Sequence, residues 1–161
     1  MRPNTSKMEW ISRFGGMKVE AKAYLKQVRK LDDLIENKLA EREQWKAIAT
    51  STTQRFGGER VQSSGNPQKM ADAITKYVEI ENEIDGLVDR FVDKKREIIS
   101  TIEKLSQKEY DLLHKVYIQY FTLDEYAAKK GKSYSWVTTV HGRALKKLQT
   151  ILNEREKHET N

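Results

Sequence analysis

In a chain with no cysteine, acid–base or metal chemistry would fall to His114, His141, His158 and scattered carboxylates. No two of the histidines share a ligand spacing, and no nucleophile motif accompanies them. His114 stands beside Tyr110 and Tyr117 as a packing or surface residue, His141 at the margin of a helix core, and His158 in a polar tail. The glycine-rich stretch RFGGERVQSSG at 55–65 lacks the Gly-Lys-Ser/Thr ending that cradles phosphates. The expectation is a protein without catalytic residues, metal or cofactor.

Another chemistry stands out. The stretch SYSWVTTVHGRALKKL, residues 133–148, has helical spacing and a polar side of one sign: Thr138, Thr139, Gly142, Arg143, Lys146 and Lys147, with no acid. On a 100° wheel Val137, Val140, Ala144, Leu148 and Ile151 form the core face, while Ser135, Thr138, Thr139, Gly142, Lys146 and Gln149 lie opposite. Small hydroxyls and cations suit a groove where base edges and phosphates are read. Gly142 costs ~1 kcal/mol in a helix interior relative to alanine, which a close approach to a ligand would explain. Trp136 can pack over the turn or press against a sugar–phosphate backbone.

Charge agrees. From Tyr126 to Asn153 there are six Lys or Arg, Lys132 in the turn among them, and no Asp or Glu. Residues 1–105 carry 20 bases and 17 acids, a well-mixed surface. The net charge of +6 is therefore concentrated near the C-terminal end, a nucleic-acid footprint.

The elements that must hold this face can be placed. Thr122 and Glu125 have capping-box spacing at the start of TLDEYAAKK, Gly131 stops that helix, and Ser133 can cap the next, which should end near Asn153. A short capped helix, a turn with glycine and a longer basic helix make a helix-turn-helix signature. LSQKEYDLLHKVYIQYF precedes it as a short helix with Tyr110, Leu113, Val116, Tyr117 and Tyr120 on its buried side.

Upstream, Tyr24, Val28, Leu31 and Ile35 begin an apolar stripe over residues 17–54, continued less cleanly by Leu39, Trp45 and Ile48. Asn66 and Pro67 look like the cap and first residue of a second helix running to about Leu105. There Met70, Ile74, Tyr77, Ile84, Val88, Phe91, Ile98, Ile102 and Leu105 suggest a heptad repeat. The fold expected is all-α: a long antiparallel, coiled-coil-like helical hairpin over 17–105, then a helix-turn-helix domain over 106–153. Residues 1–16 are expected to form a flexible arm and 154–161 a frayed tail. The hairpin core is thin, so a third helix or a second copy of the chain, in a homodimer, is expected to complete it. No apolar run approaches the ~20 residues of a membrane span, and the start MRPNTSKMEWISRFGG lacks a signal-peptide core, so a cytoplasmic protein is expected.

TLDEYAAKKGKSYSWVTTVHGRALKKL resembles region 4 of the sigma-70 family, which reads the −35 promoter element. The shared frame is Thr-Leu-acid-Glu, a turn, a Ser/Thr cap, two β-branched core positions and a closing Arg-Ala-Leu-Lys-Lys-Leu, over roughly residues 106–152. With GGERVQSSGNPQKMADAI in the preceding loop and helix start, the whole layout is similar to phage late-operon activators of the ArpU and RinA type. The resemblance implies double-stranded promoter DNA as partner, with host RNA polymerase as a second contact. By position it implies base-reading side chains at Tyr134, Ser135, Thr138 and Thr139, with Trp136 and Arg143 near the backbone. Lys132, Ser133, Gly142, Lys146 and Lys147 complete the expected surface. Sigma factors commonly place Arg and Glu where this chain has Tyr134 and Ser135, which speaks against the standard −35 sequence as target. A phage DNA-packaging recognition subunit of the small-terminase kind is the alternative, although such proteins usually carry the DNA-binding part first.

Overall fold

The computed structural model describes residues 20–54 and 67–159. The expectations for residues 1–16, for the loop around 55–66 and for Asn66 as a cap lie outside the described residues. Among the described residues every regular element is a helix: α1 (Ala21–Leu25), α2 (Gln27–Gln54), α3 (Pro67–Ile102), α4 (Gln107–Leu113), α5 (Leu123–Lys130) and α6 (Tyr134–Glu159). A π-helical turn, His114–Ile118, continues α4. Pro67 opens α3 as its first residue, where the missing N–H costs nothing.

The described residues divide into two compact units, one of residues 27–54 and 67–97 and a second made of residues 20–26 together with 98–159. The sequence pattern places the boundary at 105/106, with residues 17–105 in one body. The observed division takes α1 and the last turn of α3 into the C-terminal unit. The stripe begun by Tyr24 is thus divided at Lys26, the turn residue between α1 and α2.

In the first unit, Lys38 pairs with Glu83 at 2.7 Å and Arg42 with Glu81 at 3.0 Å. The number rises along α2 as it falls along α3, so the two run antiparallel. Such exposed pairs set register more than they stabilise. Ala73, Ile80, Ile84 and Leu87 are buried, and Tyr77, Phe91 and Lys94 half-buried, together a four–three repeat along α3. Tyr77, Ile84 and Phe91 therefore lie on the seam expected of them, but Ile74 and Val88 do not: they are 45% and 40% exposed. Apolar residues occupy two adjacent stripes of α3, and a single sequence does not say which faces α2. On α2, Leu31, Ile35, Leu39 and Trp45 are half-buried, whereas Ile48 is exposed.

The core of the second unit is built from distant pieces of chain. Leu25 of α1, Ile98 and Ile102 of α3, Leu112 and Leu113 of α4 and Val137 and Leu148 of α6 are all fully buried. The Tyr24 hydroxyl is 3.1 Å from the Thr101 hydroxyl in this interior, and the Ala21 N–H donates to Gln149 Oε1 at 2.8 Å. Gln149, expected on the free side of α6, thereby caps α1 instead. Leu152 is buried and α6 continues to Glu159, beyond the expected end near Asn153, with Arg155 and Glu159 paired one turn apart at 3.2 Å.

Candidate nucleic-acid interface

The local chemistry of residues 106–137 orients α6. Ser106 and Glu109 form a capping box that the sequence reading passed over, although its Ser-x-x-Glu spacing is legible: the Ser106 N–H and hydroxyl both donate to Glu109 Oε2, at 3.2 and 2.7 Å. The box expected at Thr122 and Glu125 is present, with the Thr122 N–H donating to Glu125 Oε2 at 2.7 Å and the Glu125 N–H to Thr122 Oγ1 at 3.2 Å. Gly131 ends α5 with φ +62°, the left-handed geometry that glycine adopts without a Cβ penalty. Ser133 Oγ accepts from the Trp136 N–H at 3.1 Å, as expected of the cap of α6.

Between these caps the apolar positions close one cluster. Leu112, Tyr126, Ala127 and Val137 form its buried part, and Val116, Leu123, Trp136 and Val140 pack around it. Helix α4 is not the simple short helix of the sequence reading. It widens into the π turn at His114, and Tyr120 then sits at φ +62°, unusual for a residue with a Cβ. Tyr117 is buried, and Tyr110, Val116 and Tyr120 are half-buried.

Opposite that cluster, α6 turns outward a surface of the composition expected. Ser135, Thr139, Arg143 and Lys146 are exposed, Thr138 and Gly142 half-buried, and Tyr134 is 52% exposed. The Thr138 and Thr139 hydroxyls both donate to the Ser135 carbonyl, at 3.0 and 2.9 Å. With their protons so used, the oxygens keep lone pairs with which they can accept from the amino groups of cytosine or adenine. A Cβ built on Gly142 would meet nothing within 4 Å. The chain's own packing does not require a glycine there.

The expected cations separate into two groups. Among the described residues, Arg143 and Lys146 have no acidic partner and remain available to phosphates. Lys147 is instead drawn to Glu109, 2.7 Å away, whose side chain is only 7% exposed. Burial pushes the Glu109 carboxyl up, but Lys147 and Ser106 outweigh it and hold it below the ordinary value. Lys132 lies over the Trp136 ring, 5.5 Å from its centroid. Trp136 is half-buried against the cluster, so it packs over the turn.

The histidines do not assemble. His141 Nε2 is 3.0 Å from the Tyr117 hydroxyl, and their rings stack at 5.9 Å. Burial and Lys22 lower the affinity of His141 for a proton, and burial with Glu20 pushes the Tyr117 phenol up to about 12. His114 contacts Gln119 and the Tyr110 ring, and His158 is exposed near the end of α6. No group of three or more metal-ligating side chains gathers among the described residues, and none of their helices is long and apolar enough to cross a membrane.

No protein-family model, curated protein or solved structure matches this chain.

Proposed function

We propose that this chain is a DNA-binding transcription regulator of the phage late-gene activator kind, in which α5 and α6 act as a helix-turn-helix and α6 enters the major groove. The observation that carries the reading is the outer surface of α6: two hydroxyls with free lone pairs, an unobstructed glycine and two uncompensated cations on one rigidly capped helix. Thr138, Thr139, Ser135 and Tyr134 read bases in this arrangement, and Arg143 and Lys146 neutralise phosphates. Lys147 serves the fold through Glu109 rather than the DNA.

The antiparallel α2 and α3 form a hairpin that dimerises the protein. Its support is the second apolar stripe of α3. Ile74, Val78, Val88 and Val92 are all exposed, and their spacing of four, ten and four residues is the same in both directions. A twofold axis near residue 83 therefore sets Ile74 of one copy against Val92 of the other, and Val78 against Val88, twice over. A dimer presents two recognition helices and requires a paired site.

Selection of bound duplexes from a random pool, with the mass of the bound species measured alongside, tests this. An enriched paired motif held by a dimer is expected. Salt-sensitive binding without any enriched motif would overturn sequence-specific regulation.

A further inference from the structure

Beside α6 lies a cleft of about 370 Å³ that the reading above leaves unused. Its walls are α4 (Lys108, Asp111), α5 (Tyr126, Lys130), Lys132 in the turn that follows and Trp136 in the first turn of α6. Three lysines and one carboxylate line it, and that carboxylate is already satisfied: Asp111 Oδ2 accepts from Lys130 Nζ at 2.9 Å and from the Tyr126 hydroxyl at 2.8 Å. Among the described residues Lys108 and Lys132 have no acidic partner, so the cleft carries two uncompensated positive charges. The indole of Trp136 gives it one flat, half-buried wall, over which Lys132 is held at 5.5 Å. No acid occupies the first turn of α6, whose N-terminal dipole adds to the positive potential.

We infer that this cleft takes a phosphate-bearing group, and that in the working complex the group is a sugar–phosphate unit of the DNA backbone flanking the recognition helix. Compact ammonium cations, an aromatic wall for the sugar and a volume at the low end of small-ligand sites suit that occupant. An acidic peptide would need several separated cations and a longer groove. Lys108 and Lys130 belong to elements outside the proposed recognition helix, so the contact would anchor register without reading sequence. The choice of DNA as source of the phosphate rests on the functional reading above. The anion chemistry of the cleft does not.

The test uses the full chain with Lys108→Ala, Lys132→Ala and Lys108→Arg, each checked for an unchanged melting temperature. Binding of random-sequence duplexes is measured across salt concentrations, and the Trp136 indole resonance is followed with duplex, with inorganic phosphate and with poly-glutamate. Lys108→Ala is expected to weaken all duplexes several-fold alike and to reduce the salt slope by about 0.9, one phosphate's share, with Lys108→Arg restoring both. Inorganic phosphate moving the Trp136 resonance in the parent but not in the alanine variants, with duplex inert, would support the cleft and assign it a free phosphate ligand while the DNA reading fell. Duplex binding that depends on Arg143 and Lys146 but is indifferent to Lys108 and Lys132 would overturn the inference and leave the function standing. A Trp136 response to poly-glutamate alone would overturn it in favour of a protein partner.

Discussion

Lys147 Nζ and Glu109 Oε1 lie 2.7 Å apart and join α6 to the first turn of α4. Two adjacent lysines of one helix thus do different work. Lys146 faces outward, and Lys147 neutralises a carboxylate that would otherwise be buried without a counter-charge. Lys147→Ala is expected to destabilise the C-terminal unit by about 1 kcal/mol, the order of a lost charge-assisted hydrogen bond with a solvated donor. Lys146→Ala should leave stability unchanged and weaken binding to every duplex. Thermal melting and salt-dependent DNA titration of the two variants check this, and identical behaviour of both would contradict it.

The same carboxylate predicts an acid limb. The folded state holds the Glu109 pKa below its ordinary value, so the unfolded chain binds its proton more readily. Its stabilising contribution is present above the unfolded carboxylate pKa of about 4.3 and is lost as pH falls through the lower folded value. Glu109→Gln should shrink that limb in denaturant melts between about pH 5 and pH 3.

His141 gives a second, separate limb. Its folded pKa is depressed by burial and Lys22, so the unfolded chain takes up the proton first. Stability is therefore full above the unfolded pKa of about 6.5 and declines as pH falls from there through the folded value. Melts of His141→Gln should lose this dependence between about pH 7 and pH 5 while retaining the one due to Glu109. A parent protein with flat stability over that range would refute the assignment.

Gly142→Ala separates folding from binding. With open space around the added Cβ, the substitution should stabilise the protein by about 1 kcal/mol through helix propensity alone. If α6 approaches a groove closely at this point, the same variant binds its selected duplex less tightly. A more stable protein with unchanged affinity would remove Gly142 from the interface.

Leu25→Ala tests how the C-terminal unit is built. Leu25 is fully buried, far in sequence from α5 and α6. Its truncation should cost about 2–5 kcal/mol and lower the unfolding midpoint of that unit, followed by Trp136 fluorescence in a protein lacking Trp10 and Trp45. Loss of α1 from the chain should be worse still.

Local chemistry was legible where it is self-contained. Thr122 with Glu125, Gly131 and Ser133 act within a few residues of themselves, so spacing alone located both ends of α5 and the start of α6, and the 3.6-residue period identified Val137, Ala144 and Leu148 as core. The Ser106–Glu109 box has the same local spacing and is equally legible. Partnerships between distant residues were not legible. Nothing in KVEAKAYLK shows that Leu25 closes the C-terminal core, that Gln149 caps α1, or that Glu109 selects Lys147 and leaves Lys146 free. On α3 two apolar stripes one residue apart were equally good seams, and packing against α2 decided for Ala73 and Leu87 over Ile74 and Val88. Periodicity and caps follow from steric and hydrogen-bonding rules that act over one or two turns. Which face is buried, and which cation is neutralised, depends on what the rest of the chain brings against it.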